Sequence, residues 1–436
     1  MDSYDEVSLS SLIRPDRVHK DYYIDPEIFK LEIDRIFSKS WLLVGHESQV
    51  PNPGDFVTLT LLDQPMIMSR HRDGSLHVMF NRCSHRGARV CTKPSGHALR
   101  FECPYHGWAF HTNGDHAGVP YPERYADGFL EHGDFDLARP PKQEIYRGFV
   151  FVALDNEVCD LDTFLGPMRD HIDNMVDRSP AGELEAPAGM FRYRFAANWK
   201  IQLENLNDLY HPMFTHASTT AEDGTQFRRQ GAEGDEAGKV KLLEKHSSLN
   251  MQWEEQVIAG HAHGHTYMQR FPMDRENQGP VYERYKSSMV DAYGAEAEAK
   301  MKVHHHNSIF FPHWSIQYMT QHIRIMNPIS VDCTENIIIP LKLKGAPEEM
   351  WKSALRSNNN SHSPAGMVMA DDMDAWVRCQ EGMQANGHDW IVFARSVGEE
   401  SIDNEGSFQG FGTSEANARH QHKAWLHYMC GRGQGV

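Results

Sequence analysis

Two short segments, Cys83-x-His85 and Cys103-x-x-His106, constrain this chain of 436 residues more than any other feature of its sequence. Each segment places one thiol and one imidazole on a tight loop, and 17 residues separate the two segments. Two such loops can close over one metal centre, where two sulfur and two nitrogen ligands suit either zinc or an iron–sulfur cluster. The chain must therefore fold so that these two loops face each other.

The order of the four residues favours iron over zinc. Structural zinc sites of the Cys2His2 type usually pair Cys with Cys and His with His, whereas each loop here carries one of each. The pattern resembles the Rieske domain of ring-hydroxylating oxygenases, which reads C-x-H, a gap of this size, and then C-x-x-H. The resemblance implies a [2Fe–2S] cluster bound by Cys83, His85, Cys103 and His106.

A second group of metal-ligand residues lies further along the chain. If residues 199–210 form a helix, Glu204, Asp208 and His211 fall on one face by their spacing. Pro212 disfavours helical geometry at His211, so we expect the helix to bend or end there and to let His211 and His216 turn toward one metal. Two His and one carboxylate would leave positions of Fe(II) open for O2 beside a substrate. Spacing alone leaves the carboxylate undecided, and Asp208 is the local candidate.

This second segment is also similar to the mononuclear iron motif of the ring-hydroxylating oxygenases. The resemblance implies that His211 and His216 are iron ligands and that Asp208 is not. Instead, Asp208 would bond His211 and also His106 of the partner subunit, so that it bridges the electron path. Asn205 and Asp208 are the candidate catalytic residues. The shorter spacing between Glu204-Asn205 and Asp208 is typical of members that act on benzoate-like acids.

The resemblance takes the third iron ligand from a downstream segment that reads P-A-G, four variable residues and D-D, at residues 364–372. It places the ligand at Asp372, with Asp371 as the alternative. Arg324, on a predicted strand, is a candidate partner either for a substrate carboxylate or for a structural ion pair. Proximity to the motifs suggests the following residues as walls of a substrate pocket: Leu206, Pro212, Met213, His362 and Val368.

Charge, hydropathy and cysteine content argue against several classes of partner and structure. The net charge of −17 argues against nucleic acid and anionic membranes, since both are polyanions. No apolar run approaches the roughly 20 residues of a transmembrane helix, and the acidic N-terminus lacks a basic signal region, so we expect a cytoplasmic bacterial protein. The seven cysteines are scattered and odd in number, which favours reduced thiols over a disulfide framework.

Apolar spacing predicts helices at 25–38, 199–210, 347–357, 365–384 and 414–430, whereas 41–154 is typical of short strands and turns. Residues 120–145 and 155–190 are expected to be connecting loops, and 218–240 a flap. With the resemblance, the predicted fold class is α+β. An antiparallel β Rieske domain (41–158) is inserted in a catalytic domain (1–40 and 159–436) with a curved antiparallel sheet and covering helices, of the helix-grip type.

The resemblance implies the large subunit of a multicomponent terminal oxygenase that uses O2 and NADH-derived electrons to cis-dihydroxylate a small aromatic substrate, such as an aromatic carboxylate. The implied partners are a reductase or ferredoxin and further copies of the chain, as a homotrimer or an α3β3 assembly with small β subunits. One alternative is a monooxygenase or dealkylase with the same machinery. The other is an electron-transfer or zinc-binding protein without an oxygenase site.

Overall fold

The computed structural model describes residues 4–216, 253, 255–269, 279–404 and 406–431, so the predicted flap at 218–240 lies outside the described residues. The chain divides into two compact units. The smaller unit comprises Ser38–Val158 and Leu184–Gly189, and the larger one comprises the described residues of Met1–Phe37, Cys159–Glu183 and Met190–Val436. The prediction had placed residues 184–189 in the catalytic domain, whereas their contacts group them with the smaller unit.

The smaller unit is built from short antiparallel strands, as its alternating apolar residues and its Asp-Gly and Asn-Gly turns predict. Its three sheets contain, in spatial order, Lys142–Tyr146, Phe149–Ala153 and Trp41–His46; Leu76–Phe80, Gln64–Arg70, Asp55–Leu61 and Ser95–His97; and His116–Gly118, Ala109–His111 and Arg100–Glu102. The strand Leu184–Glu185, the helix Phe129–His132 and the 3-10 turns Glu47–Gln49 and Pro122–Arg124 complete this unit.

The core of the smaller unit contains two of its candidate ligands. Cys83 and Cys103 are buried in the same cluster as Phe56, Trp108 and Phe110. Burial of these two cysteines therefore anchors both loops to the core of the smaller unit.

The larger unit contains a long antiparallel sheet, with nine strands in the part of the chain that is described. Side chains of the strand His322–Ser330 alternate between its two faces: Ile323 and Ile325 are paired with Ile339 and Ile337 of the neighbouring strand, while His322 and Arg324 point to the other face. In spatial order the strands are Phe191–Phe195, Cys333–Pro340, His322–Ser330, Trp314–Gln317, His305–Phe310, His265–Gln269, Val257–His261, Phe408–Phe411 and Ser401–Ile402.

Helices accompany this sheet, so the predicted α+β class is confirmed. They span Glu6–Ser11, Asp21–Ile24, Pro26–Arg35, Leu161–Leu165, Arg169–Val176, Trp199–Asn205, Pro212–Thr215, Pro280–Tyr293, Ala297–Met301, Glu348–His362, Met367–Gly382 and Ala416–Met429. A second small sheet joins Ile13–Arg14, Arg17–His19 and Trp390–Val392, and a short strand lies at Lys342–Leu343.

The prediction of loops at 120–145 and 155–190 was wrong in part. Residues 155–190 contain the helices Leu161–Leu165 and Arg169–Val176, and the first is capped by Asp160, which accepts the backbone N–H of Thr163. Buried apolar residues recur there at helical spacing, so the acidic composition concealed a valid signal. The strand Lys142–Tyr146, which pairs with Phe149–Ala153, was missed because its sequence is mostly polar and none of its residues is fully buried.

A buried ion pair joins three helices of the larger unit. Glu32, fully buried, accepts hydrogen bonds from the Lys200 ammonium at 2.5 Å and from the indoles of Trp199 and Trp425 at 2.8 and 2.7 Å. Burial lowers the pKa of Lys200, while Glu32 partly offsets this effect. Every oxygen of the carboxylate is therefore used, and the pair fixes how these helices pack.

We expect Glu32→Ala to lower the free energy of unfolding by about 3–5 kcal/mol, since the substitution leaves a buried ammonium without its counter-charge. Urea unfolding followed by circular dichroism measures the change. The double variant Glu32→Gln/Lys200→Met removes both charges and should be clearly more stable than Glu32→Ala. Equal losses in the two variants would contradict the role of the unpaired charge.

Candidate active site

The two cysteine loops of the smaller unit have the same backbone geometry. In the first loop the N–H of Gly87 donates to the carbonyl of Cys83 at 2.9 Å, and in the second the N–H of Gly107 donates to the carbonyl of Cys103 at 3.0 Å. Both glycines have positive φ, 73° and 70°, which L side chains rarely adopt. The sequence therefore forms two matching loops, each presenting one Cys and one His.

The two loops bring their histidines together, with one ring nitrogen left for a metal. The imidazoles of His85 and His106 lie with ring centroids 4.6 Å apart, and His85 stacks on Trp108. The buried Nδ1 of His85 has no hydrogen-bond partner among the described residues, as expected for an atom that binds a metal.

In the larger unit, one group of three ligand residues converges among the residues that the structure describes: His211, His216 and Asp372. Their ligand atoms lie within 4.8 Å of one another. Oδ1 of Asp372 lies 3.4 Å from Nε2 of His211 and 3.2 Å from Nε2 of His216. Two imidazoles and one carboxylate in this arrangement suit a mononuclear iron with open positions.

Two carboxylates flank the imidazole of His211. Its Nδ1 lies 3.3 Å from Oδ2 of Asp208, while Nε2 faces Asp372. Burial alone would lower the pKa of His211, but the bonds with Asp208 and Asp372 outweigh burial and raise the pKa to about 9. Burial likewise opposes ionisation of Asp372, yet the two imidazoles hold its pKa well below the usual range. The site therefore attracts a cation.

The two candidate third ligands occupy different positions. Oδ2 of Asp371 lies 3.5 Å from Nδ1 of His216, on the opposite side of the ring from Asp372. Asp208 is hydrogen-bonded to Nδ1 of His211, whereas Asp371 faces Nδ1 of His216 at ion-pair distance only. In both cases Nε2 is left toward the site centre. Such outer carboxylates orient metal-binding imidazoles. Sequence spacing did not reveal this contact of Asp371.

The helix Met367–Gly382 carries both aspartates. It begins directly after Gly366, where a Cβ atom would lie 2.2 Å from the carbonyl oxygen of Asn360, so the close approach requires glycine. One turn beyond Asp372, the buried Trp376 packs against Phe195, with ring centroids 4.7 Å apart. These contacts set the position of Asp372 along the helix axis.

The predicted helix 199–210 ends earlier than expected, at Asn205. Side-chain amides explain this end: Asn307 donates to the carbonyl of Leu206 at 2.9 Å, and Asn417 donates to the carbonyl of Asn207 at 2.7 Å. These carbonyls are thus bonded to side chains from other elements, which competes with continuation of the helix. The prediction that Glu204, Asp208 and His211 share one helix face was therefore wrong.

Three further residues of the predicted iron motif have contacts of their own. Glu204 accepts hydrogen bonds from Tyr23 and His422, each at 2.9 Å, so it supports the helix packing. The carbonyl of Asn205 accepts the N–H of Asp208, and a catalytic role of its side chain stays a prediction. Pro212 opens the short helix Pro212–Thr215.

The predicted pocket residues stay predictions. Leu206 and Val368 are half-buried, and the side chain of Met213 lies outside the described residues. His362 ends the helix Glu348–His362, and its Nδ1 lies 3.1 Å from a guanidinium nitrogen of Arg324. The charges of Asp372 and His216 both act on His362, which places it in the surroundings of the metal site.

Comparisons with known proteins agree with this geometry. Residues 40–136 match the Rieske [2Fe-2S] domain, and residues 183–431 match the catalytic domain of ring-hydroxylating alpha subunits. The chain is 33% identical to the large subunit of anthranilate 1,2-dioxygenase from Acinetobacter baylyi, over 87% of this chain and 80% of that protein. It is 30% identical to the large subunit of 2-halobenzoate 1,2-dioxygenase from Burkholderia cepacia, over the same shares.

The fold is also similar to a solved structure, naphthalene 1,2-dioxygenase from Rhodococcus sp. bound to indole, with a TM-score of 0.79 and 24% identity. That match covers 96% of this chain and 95% of the other. None of the described helices has the length and apolarity to cross a membrane. The sequence matches over both units show that this chain belongs to the large (alpha) subunits of Rieske-type aromatic-ring-hydroxylating oxygenases, which are non-haem iron enzymes with a [2Fe–2S] cluster and a mononuclear iron.

Proposed function

We propose that this chain catalyses the cis-dihydroxylation of an aromatic ring as the terminal component of a multicomponent system. The observation that carries the proposal is the convergence of His211, His216 and Asp372 in one buried site. When bound, the mononuclear iron supplies the activation of O2, and the cluster supplies single electrons. The protein contributes the ligands, their orientation and the surroundings of the substrate.

We propose Cys83, His85, Cys103 and His106 as the cluster ligands. The matching loops and the free Nδ1 of His85 support this assignment. For the iron, the short distances from Asp372 to both Nε2 atoms favour Asp372 over Asp371.

Asp208 holds the His211 imidazole in one orientation. A proton shared between Nδ1 and the Asp208 carboxylate leaves the Nε2 lone pair free to bind metal. The Asp208 side chain is still 33% exposed, so it can form a second hydrogen bond to a neighbouring molecule. We propose that it bonds His106 of the partner subunit, which requires an oligomer such as a homotrimer or an α3β3 assembly.

We propose that the cluster is reduced by a separate protein. Electrons from NADH reach the cluster through a reductase, directly or by way of a ferredoxin. A mixing experiment tests transfer between subunits: Cys103→Ala chains and His216→Ala chains, each inactive alone, should regain part of the activity when co-expressed. No recovery in verified mixed oligomers would contradict the route through Asp208.

We further propose that the substrate is an aromatic carboxylate. The short spacing between Glu204-Asn205 and Asp208 supports this class. The names of three relatives, anthranilate, 2-halobenzoate and toluate dioxygenases, point to the same class.

Product analysis with labelled O2 tests the reaction type. We expect two labelled oxygen atoms in each product molecule, because a dioxygenase transfers both atoms to the ring. The purified chain, a reductase, NADH and a panel of aromatic acids provide the assay, with mass spectrometry as the readout. A single labelled oxygen in the product would assign the chain to the alternative class of monooxygenases and dealkylases.

A further inference from the structure

One face of the long sheet contains a buried arginine, Arg324. His322 and Arg324 occupy alternate positions of one strand and share that face, while Ile323 and Ile325 point the other way. Arg324 is 2% exposed. An alternation of charged and apolar residues in a central strand is rare where both faces are buried, because a buried charge needs compensation.

Arg324 has one neutral acceptor and no acid partner in the described residues. One terminal nitrogen of its guanidinium lies 3.1 Å from Nδ1 of His362. Its Nε is buried and has no hydrogen-bond partner among the described residues. In residues 4–216, 253, 255–269, 279–404 and 406–431, no carboxylate lies within ion-pair distance of Arg324.

His362 does not provide the missing negative charge. Its Nδ1 faces a donor, so this atom acts as the acceptor and carries no proton. Burial, followed by the charge of Arg324, holds the pKa of His362 well below its usual range, which agrees with a neutral ring. Arginine itself stays protonated in proteins. A full positive charge is thus buried beside a neutral group.

This charge lies in the surroundings of the metal site. Asp372 acts electrostatically on both Arg324 and His362, and His216 acts on His362. A bound iron would neutralise the charge of Asp372, so that this carboxylate would no longer offset the guanidinium. An anion is then needed, and the fork of an arginine matches a planar carboxylate by two parallel hydrogen bonds.

A second donor lies next to Arg324. Ser315 is paired with Arg324 across neighbouring strands, on the same face of the sheet. Its buried hydroxyl has no hydrogen-bond partner among the described residues. Cross-strand neighbours lie close enough to contact one ligand group. Two donors without hydrogen-bond partners among the described residues therefore belong to neighbouring positions on one face of the sheet.

We propose that Arg324, assisted by Ser315, binds the carboxylate of the aromatic substrate and so determines substrate specificity. This inference rests on the proposed function, since it names the residue that recognises the substrate of that same site. The carboxylate compensates the guanidinium, and its ring extends toward the metal ligands. A hydrocarbon substrate would leave the charge uncompensated, so the site discriminates against it.

The first test compares acids with neutral isosteres on the iron-loaded wild-type protein. Benzoate and anthranilate should bind in calorimetry at least about 100-fold more tightly than benzamide and anthranilamide, because only the acids compensate the buried charge. Equal affinities for acids and amides would overturn the proposal.

The second test removes the positive charge of Arg324. Arg324→Met keeps the length and burial of the side chain without its charge, and should weaken benzoate binding and lower kcat/KM about 100-fold. Benzamide binding should change less than about threefold. Arg324→Lys keeps the positive charge but loses the two parallel donors of the guanidinium. Its benzoate affinity should therefore lie between those of the wild type and Arg324→Met.

Arg194→Met is the matched control. Arg194 lies on a strand of the same sheet with its side chain 62% exposed and paired to Glu335, so benzoate binding should be unchanged. Iron content and melting temperature identify variants that fail to fold. If Arg324→Met does not fold, the comparison of acids with amides on the wild-type protein decides whether the proposal stands. Full benzoate affinity in folded Arg324→Met would overturn the proposal.

The outcomes separate this inference from the proposed function. If only neutral arenes are dihydroxylated, the proposed reaction stands and the role of Arg324 is wrong. If no arene is turned over, the proposed reaction is wrong, and benzoate binding to wild type and Arg324→Met still decides the role of Arg324.

Discussion

Replacing His216 by alanine should remove the mononuclear iron and leave the [2Fe–2S] cluster in place. His216 supplies one of three converging donors, and two remaining donors bind Fe(II) far more weakly. The cluster loops belong to the other compact unit, so their ligands are unchanged. We expect iron to fall from about three to about two atoms per chain. Substrate-dependent O2 uptake should fall by at least about 1,000-fold, because the site of O2 activation is lost.

Metal analysis, acid-labile sulfide and the EPR spectrum of the dithionite-reduced protein measure this result. His388→Ala, which removes an exposed histidine, is the matched control and should retain all the iron. If the visible spectrum of the cluster disappears in His216→Ala while the mononuclear iron stays, the ligand assignment is wrong. Asp372→Ala should behave like His216→Ala, since both remove a converging donor.

Replacing Asp208 by alanine should leave both metal centres largely loaded and reduce turnover by at least about 100-fold. Asp208 contacts His211 through Nδ1 and is not one of the three converging donors, so its loss spares the coordinating atoms. The substitution removes the group that orients the imidazole and, by our proposal, connects it to the next subunit. Turnover therefore falls even though the iron is present.

A transient-kinetic measurement separates this role from general damage. After reduction of the cluster, its reoxidation by O2 with substrate present should be slow in Asp208→Ala and fast in the wild type. Asp374→Ala is the matched control, because it removes a largely exposed acid from the helix that carries Asp372. Full turnover in Asp208→Ala would contradict the bridging role.

Much of the fold could be predicted because its signals are local. The helix predicted at 25–38 spans Pro26–Arg35, and Asp25 caps it by accepting the N–H groups of Glu27 and Ile28. Asp73-Gly74 lies at a hairpin between paired strands, as expected for a turn that favours glycine. Each of these features depends on residues that are close in sequence, so short-range physical chemistry suffices to predict it.

One prediction failed where distant residues decide the local structure. The helix beginning at Trp199 ends at Asn205 because the side chains of Asn307 and Asn417 bond the following carbonyls. No pattern within 199–210 reveals these partners. The helices Leu161–Leu165 and Arg169–Val176 were missed for a local reason, because acidic residues are interspersed among their regularly spaced apolar residues.

The sequence by itself identified the candidate Cys and His donors of both metal motifs, because C-x-H, C-x-x-H and H-x4-H place these donors within single loops or turns. Tertiary structure decided how distant groups combine. It brought Asp372 to His211 and His216, it set Asp371 behind His216, and it buried Arg324 without an acid partner among the described residues. Such contacts depend on the packing of helices against the sheet, and the energy of a buried charge depends on every neighbour that packing brings near it.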